Sequence, residues 1–413
     1  MKMNNKERII LLLLAALNFT HIMDFMIMMP LNNYLMPYFD ITPKQFSFLV
    51  AAYTFSAGTS GFLAAFFVDR FDRKKVLLFG YTGFLVGTLC CAVSPTYGLL
   101  LASRIVAGMF GGLIGAQVLS IVADLIPYER RGFAMSWIMA AFSVASVFGV
   151  PFGIYIANHF NWHGPFVFIA AFGALLLPFI VRYLPRMDAH IKEGRKKSGP
   201  LELVSTIAKD RNQVLALCLS ACLMMGHFMI IPFLNPYMEL NMGFSKVTQT
   251  PLIYMIGGAL TLVTSPIMGR LADKIGKHRL FVILVLMGIA PIALITNLPP
   301  IPFYLVLCIT GFWFIISSGR SIPAQAMISN VVSPERRGSF MSFNSSVQQI
   351  FVGFASLLAG MIVTRSTENK LEHYELTGYL SIGITLLSVV VAAKLNSRAR
   401  SAKTEPTISA RKN

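Results

Sequence analysis

Few side chains in this sequence are equipped for chemistry, and most of them sit where a charge is costly. Asp24 lies in "FTHIMDFMIMMP" (19–30), Arg104 in "LASRIVAG" (101–108), His227 in "GHFMIIP" (226–232) and Arg320 in "SSGRSIP" (317–323). All four interrupt long apolar runs, and His21 precedes Asp24 by one helical turn. A charge at the centre of a hydrocarbon layer costs at least ~2.5 kcal/mol and must face protein or water, which makes each a functional candidate. Asp24 and His227 can take up and release protons, whereas an arginine keeps its charge. A mid-membrane Asp24, His227 and Arg320 are expected to form one coupled site. Asp24 then serves proton coupling, or it is a fixed partner of Arg320 that holds two halves in register. His227 is a second proton-coupling candidate, with a hydrogen-bonded buried histidine as its alternative. No nucleophile and base pair or metal cluster emerges, so no enzyme activity is expected. The GxxxxGK[S/T] nucleotide loop is absent and no cofactor is called for, leaving an ion gradient as the energy source.

These residues must be positioned by membrane-spanning helices. The 413 residues are 55% hydrophobic and 13% charged, with mean hydropathy +0.65, against about 25% charged in a soluble domain. Twelve apolar stretches long enough for a ~30 Å core are expected near 9–36, 45–67, 76–94, 98–126, 133–158, 165–184, 212–238, 247–268, 280–297, 303–331, 339–363 and 376–394. Helices satisfy their own backbone hydrogen bonds in lipid, and the short alternating segments of a barrel are missing. The fold class is therefore an all-α membrane protein. The first stretch lacks a small-residue cleavage site and is read as helix 1 rather than a removable signal. Of the 35 lysines and arginines, only Lys44, Lys246, Arg365 and Lys370 fall in loops on the side opposite the termini, which puts both termini in the cytoplasm. The net charge of +17 is a topology signal scattered over many loops, so no nucleic-acid partner is expected. All five cysteines lie in predicted spans as packing residues.

At about 1.5 Å rise per residue, Asp24 and His227 lie roughly 22 Å from the cytoplasmic helix ends, and Arg320 about 16 Å. His21, Asp24, Met28, Leu31 and Asn32 share a face of helix 1 at 100° per residue. Arg104 lies nearer the outer face, with Gly108, Gly111 and Gly115 along its stripe for close helix packing. His21, Met28, Asn32, Arg104, Asn235 and Arg320 are the candidate substrate-cavity residues. The Ser317–Pro323 stretch is expected to loosen helix 10 and free backbone groups toward a cavity. The 22 methionines are packing residues by default, although a Met-rich wall also suits varied apolar ligands.

The chain repeats itself. "VADLIPYERRGFAMS" (122–136) returns as "ISNVVSPERRGSFMS" (328–342), and "FVDRFDRKKVLLF" (67–79) as "LADKIGKHRLFVI" (271–283). Two six-helix halves, 1–184 and 212–394, follow, joined by a basic cytoplasmic linker at 185–211 and followed by a polar tail at 395–413. Internal symmetry of this kind marks transporters.

Here the residues resemble a known family. Asp69-Arg70-x-x-Arg73-Lys74 and Gly269-x-x-x-Asp273-Lys274-x-Gly276-Lys277 resemble the loop 2-3 signature of the major facilitator superfamily and its echo in loop 8-9. Arg104-x-x-x-Gly108 resembles its helix 4 signature, and Gly149-Val150-Pro151-Phe152-Gly153 the helix 5 signature of its antiporters. "MDFMIMMPL" and Trp162 to Phe166 resemble the drug and sugar efflux branch. Ala65 and Asp72 depart from the pattern, standing where the first-half signature has glycine. The resemblance implies two pseudo-symmetric six-helix bundles and a latch in which Asp69 meets helix 11 and Asp273 meets helix 5, near Gly338 and Gly132. Asp69, Arg70, Arg73, Gly269, Asp273, Lys274 and Lys277 would then gate the conformational change.

The sequence thus points to a multi-pass protein of a bacterial inner membrane. It is expected to be a monomer in lipid that exports a small amphipathic or sugar-like molecule in exchange for protons. An uncoupled or symporting uptake carrier is the runner-up, and a non-transporting sensor lacks the added soluble domain it would need.

Overall fold

The computed structural model describes residues 4–126, 128–188, 200–332 and 337–404. The surroundings of Ala65, Asp69, Gly132 and Gly338 lie outside the described side chains, as do linker residues 189–199 and tail residues 405–413. Twelve helices among the described residues are long and apolar enough to cross a membrane. Spans 1 to 6 are Asn5–Ile27, Pro43–Ala64, Arg73–Ala92, Tyr97–Val122, Trp137–His159 and Gly164–Tyr183; spans 7 to 12 are Arg211–Leu240, Thr250–Ile275, Lys277–Thr296, Phe303–Ser329, Ser339–Ile362 and Tyr374–Ser397.

The packing is doubled. Span 1 packs on spans 5 and 6, span 4 on spans 2 and 3, and span 3 on span 6; the same pairs recur as 7 with 11 and 12, 10 with 8 and 9, and 9 with 12. The two bundles meet along spans 2 and 11 and along spans 5 and 8. Glycines permit these contacts: a Cβ on Gly58 would come within 2.9 Å of the Ser346 carbonyl, and one on Gly360 within 3.0 Å of the Pro43 carbonyl.

Proline sets the breaks. Helix Asn5–Ile27 stops at Met28–Leu31 and resumes as Asn32–Phe39, so the expected single helix 9–36 is two. Pro30 lacks the N–H that an unbroken helix would need. Span 7 divides in the same way into Arg211–Phe228 and Ile231–Leu240, with Pro232 in the first turn of the second piece. In span 5, Pro151 follows a π-helical turn at Ala145–Gly149. Helix 10 departs from expectation: Phe303–Ser329 is continuous through Gly319 and Pro323. Ser321 Oγ donates to the Ser317 carbonyl at 3.1 Å, and Gly319 is packed toward Met268 and Leu284.

The loop signatures are more helical than the sequence suggests. Span 8 continues to Ile275, placing Gly269, Asp273 and Lys274 in its last turns, and Gly276 ends it at φ +95, where a side chain is strained. Asp72, one of the departures from the loop 2-3 pattern, is the N-cap of span 3 and accepts from the Lys74 and Lys75 amides at 2.8 and 3.3 Å. A short helix, Pro200–Lys209, lies in the linker, and the last helix runs past Lys394 to Thr404.

The glycines of span 4 divide sharply. A Cβ on Gly108 would lie 2.3 Å from the Tyr53 carbonyl oxygen, whereas one on Gly115 meets nothing within 4 Å. Gly108→Val should therefore separate spans 2 and 4 and lower stability by about 1–3 kcal/mol or more. Gly115→Ala should be neutral or stabilising by up to about 1 kcal/mol. Melting of the two purified variants checks the contrast, and equal shifts would contradict it.

Candidate functional site

The break in span 1 leaves Asp24 just before the irregular turn, on the face that looks into its own bundle. Asp24 Oδ2 accepts from Arg104 Nη1 at 2.7 Å, and Oδ1 accepts from Thr88 Oγ1 at 3.2 Å. Asp24 and Arg104 are both 0% exposed. Three spans therefore converge on one carboxylate: span 1 supplies it, span 3 a hydroxyl and span 4 the counter-charge. The expected meeting of Asp24 with Arg320 and His227 does not form. Equal depth along two helices says nothing of the direction each side chain takes, and Asp24 points toward spans 3 and 4.

Tyr53 of span 2 closes the pair. Its ring centroid lies 4.2 Å from the Arg104 guanidinium carbon, a cation–π contact that is strengthened where water is excluded. The Arg104-x-x-x-Gly108 spacing explains the placement, because the missing side chain at Gly108 lets the Tyr53 backbone approach span 4. Gly111 makes similar room: a Cβ there would be 2.8 Å from His21 Nε2 and 3.0 Å from the Tyr53 hydroxyl. His21 Nε2, the Tyr53 hydroxyl and Arg104 Nε and Nη2 are buried without a hydrogen-bond partner among the described residues. Unsatisfied polar atoms grouped beside a carboxylate are the kind of place where buried water is held. Thr88 and Tyr53 were not legible in the sequence, since a threonine or tyrosine in an apolar span carries no periodic signal.

The pair connects to the second bundle through rings. Phe25 stacks on Tyr53 at 5.9 Å and meets Phe228 at 5.7 Å, and Phe228 adjoins His227. His227 in turn stacks on Trp313 at 5.1 Å and 18°. His227 is thus part of an aromatic layer beside the break in span 7, remote from the Asp24 ion pair in chain connectivity but linked to it by packing. Arg320, 2% exposed, reaches span 12, where Nη1 donates to Thr385 Oγ1 at 3.4 Å.

The end opposite the termini carries a polar clasp that sequence reading missed. Asn32 Nδ2 donates to the Pro232 carbonyl at 3.3 Å, Asn33 Nδ2 donates to Glu239 Oε2, and Asn158 Nδ2 donates to the Lys246 carbonyl at 3.3 Å. Lys246 Nζ lies 4.8 Å from the Tyr34 ring centroid. A cavity of about 350 Å³ beside this clasp is lined by Asn33, Glu239, Lys246 and Arg365. Each bond joins residues far apart in sequence, and only an acid at the end of an apolar span hinted at Glu239. Met28 is buried at the break of span 1 and Asn235 one turn past the break of span 7, and Asn235 has no hydrogen-bond partner among the described residues.

The gating candidates are distributed differently. Arg73 Nε pairs with Asp124 at 2.5 Å, tying span 3 to the end of span 4 within one bundle. Arg70, Asp273 and Lys274 are exposed, Lys277 is half-buried, and Asp273 makes no ion pair with a described residue. In span 5, Gly149 and Gly153 face span 1, where a Cβ on Gly153 would lie 2.5 Å from Ile27 Cδ1. The adjoining π turn receives Gly258 of span 8, whose Cβ would be 3.1 Å from the Val147 amide.

Comparison with known proteins agrees with this architecture. The chain is 24% identical over 328 residues to an uncharacterized MFS-type transporter, YwfA, of Bacillus subtilis (strain 168), covering 78% of this chain and 75% of that one. It is 22% identical over 363 residues to Multidrug resistance protein 2 of the same organism, covering 87% and 90%. Among solved structures, a D-xylose-proton symporter superposes with a TM-score of 0.75 at 16% identity, covering 94% of this chain and 97% of the other. A bacterial homolog of the human lysosomal transporter Spinster, in an inward-facing conformation, gives 0.72 at 16% identity, covering 95% and 97%. The sequence profile of the Major Facilitator Superfamily matches residues 14–321. With twelve spans among the described residues packed as two repeated bundles, and that profile covering the first bundle and reaching span 10 in the second, the chain belongs to the major facilitator superfamily of membrane transporters.

Proposed function

We propose that this transporter exports small amphipathic compounds in exchange for protons, by alternating access in a bacterial inner membrane with both termini in the cytoplasm. The observation that carries the reading is the sealed Asp24–Arg104 pair beside the break of span 1. Asp24 is the member of the pair that can change charge. When it accepts a proton, Arg104 loses its counter-ion and retains the Tyr53 ring. Any shift of Tyr53 is passed to Phe25 and Phe228, which join the two bundles. Protonation and the bundle interface are then two ends of one packed chain.

The basic loops support a reading in which the clasped end faces outside the cell. The clasp of Asn32, Asn33 and Asn158 with span 7 and the chain after it accordingly closes the outer mouth, and the Asp24 pair lies on its inner side. The Multidrug resistance names among the relatives favour export, although the D-xylose-proton symporter of like fold keeps symport as the second reading. Asp273, with Asp69, is proposed to steady the inner mouth when the bundles close there, as the loop signatures of the family imply.

Two measurements test this. In proteoliposomes with an acidic lumen, cargo added outside should discharge the proton gradient for an antiporter and build it for a symporter. A cargo flux that leaves internal pH unchanged would sink the coupling. Separately, Glu239→Ala with Asn33→Ala should open the clasp, and spin labels across the outer ends of spans 1 and 7 should report a larger long-distance population. An unchanged distance distribution would remove the clasp from the gate.

A further inference from the structure

Among the described residues, the buried cations are Arg104 and Arg320, and an ion pair neutralises the first of them. Arg104 has Asp24 at 2.7 Å. Arg320 has no carboxylate within ion-pair distance among the described residues, and its recorded hydrogen bond is the long one of 3.4 Å to the Thr385 hydroxyl. It cannot escape by losing its proton, as a lysine or histidine can. Nor does it reach an interface to which a charged head would snorkel, since it is 2% exposed with spans 7 and 12 beside it.

The surroundings suit a ligand with an acidic head and an apolar body. Trp313 lies two helical turns from Arg320 on the same face of span 10. Its indole Nε1–H is buried without an acceptor among the described residues. His227 stacks on that indole, and Phe228 and Phe25 continue the aromatic surface to the junction of the bundles. A fixed cation and an indole donor thus gather here, with the Thr385 hydroxyl as the hydrogen-bond partner of Arg320 among the described residues. Ser381 already donates to the Gly226 carbonyl, which leaves Thr385 as the near neighbour of the guanidinium.

We infer that Arg320 is the anchor of an anion site, so that the cargo is an organic carboxylate with an aromatic or aliphatic body. The carboxylate takes the bidentate face of the guanidinium, and its body lies against Trp313 and the Phe228–Phe25 contact. The arrangement supplies the counter-charge that the span lacks and makes occupancy, rather than a fixed ion pair, the condition for neutrality. The inference rests on the reading of the chain as a carrier with a central cargo site, but it does not depend on proton exchange or on the direction of transport.

An equilibrium measurement keeps the two apart. The full chain in nanodiscs is melted in the presence of benzoate, octanoate or 2-naphthoate, each beside its uncharged primary amide, and beside chloride at the same ionic strength. At least one carboxylate should raise the melting temperature in a saturable way while its amide does not. Arg320→Gln should weaken that binding at least tenfold, and Arg320→Lys should restore part of it. The inference is overturned if no carboxylate stabilises the protein, if acid and amide act alike, or if Arg320→Gln binds as well as the unaltered chain. An equal shift with chloride would assign an inorganic ion only and overturn the organic cargo. Should Arg320→Gln fail to fold, the comparison of acid with amide on the unaltered protein still decides.

Discussion

Asp24→Asn abolishes gradient-driven accumulation while exchange of labelled for unlabelled cargo across the membrane continues. The substitution keeps the size of the side chain and its ability to accept from Thr88 Oγ1, but it removes the proton site. Exchange needs only the loaded carrier to change its facing, whereas accumulation needs the proton to be taken up on one side and released on the other. The variant imitates the protonated protein, a state the proposed cycle must visit, so it folds. Proteoliposomes with an imposed pH gradient give the first quantity, and counterflow in the absence of a gradient the second. Accumulation at the level of the unaltered protein would remove Asp24 from coupling, and loss of both activities would make the pair a structural strut.

The second large effect concerns stability and has an asymmetry that geometry alone does not show. Separating a buried ion pair by deleting one partner costs about 3–5 kcal/mol, chiefly because the other charge is left uncompensated. The two partners of this pair differ in how they bear it. An orphaned Asp24 can accept a proton and become neutral; an orphaned Arg104 stays charged, with the Tyr53 ring at 4.2 Å and no carboxylate in ion-pair contact among the described residues. Asp24→Asn should therefore lower the melting temperature more than Arg104→Gln. The double variant should lose much less than the sum, with a coupling of about 1–3 kcal/mol. Asp24→Asn with Arg320→Gln should instead be additive, since those residues belong to separate sites. Additive losses for Asp24 with Arg104 would mean that the 2.7 Å contact contributes no net interaction.

How much of this was legible differs from residue to residue. Asp24, Arg104, His227 and Arg320 announced themselves because a charge in an apolar run needs no partner to be conspicuous. Their pairing did not. The rise per residue fixed the depth of Asp24 and Arg320, but the partner of a carboxylate depends on rotation about the helix axis and on which neighbour packs there. The glycine at 108 decided that choice for Arg104, by admitting the Tyr53 backbone to span 4. Pro30 and Pro232 close the similar stretches "MIMMP" (26–30) and "FMIIP" (228–232), but the break itself shows only in the structure, where Asn32 also contacts Pro232 across the bundles.

Composition, hydrophobic run length and the recurrence of motifs were enough to determine a membrane protein of twelve helices built as two similar halves. Those are properties of single helices in lipid, set by local hydrogen bonding and transfer energy, and they need no knowledge of neighbours. The tertiary structure alone decided that Asp24 belongs to Arg104, that Glu239 meets Asn33, and that Arg320 stands without a counter-ion among the described residues. Such facts arise from contacts between residues distant along the chain, where helix rotation, close approach at glycine and the meeting of two bundles determine which charge faces which.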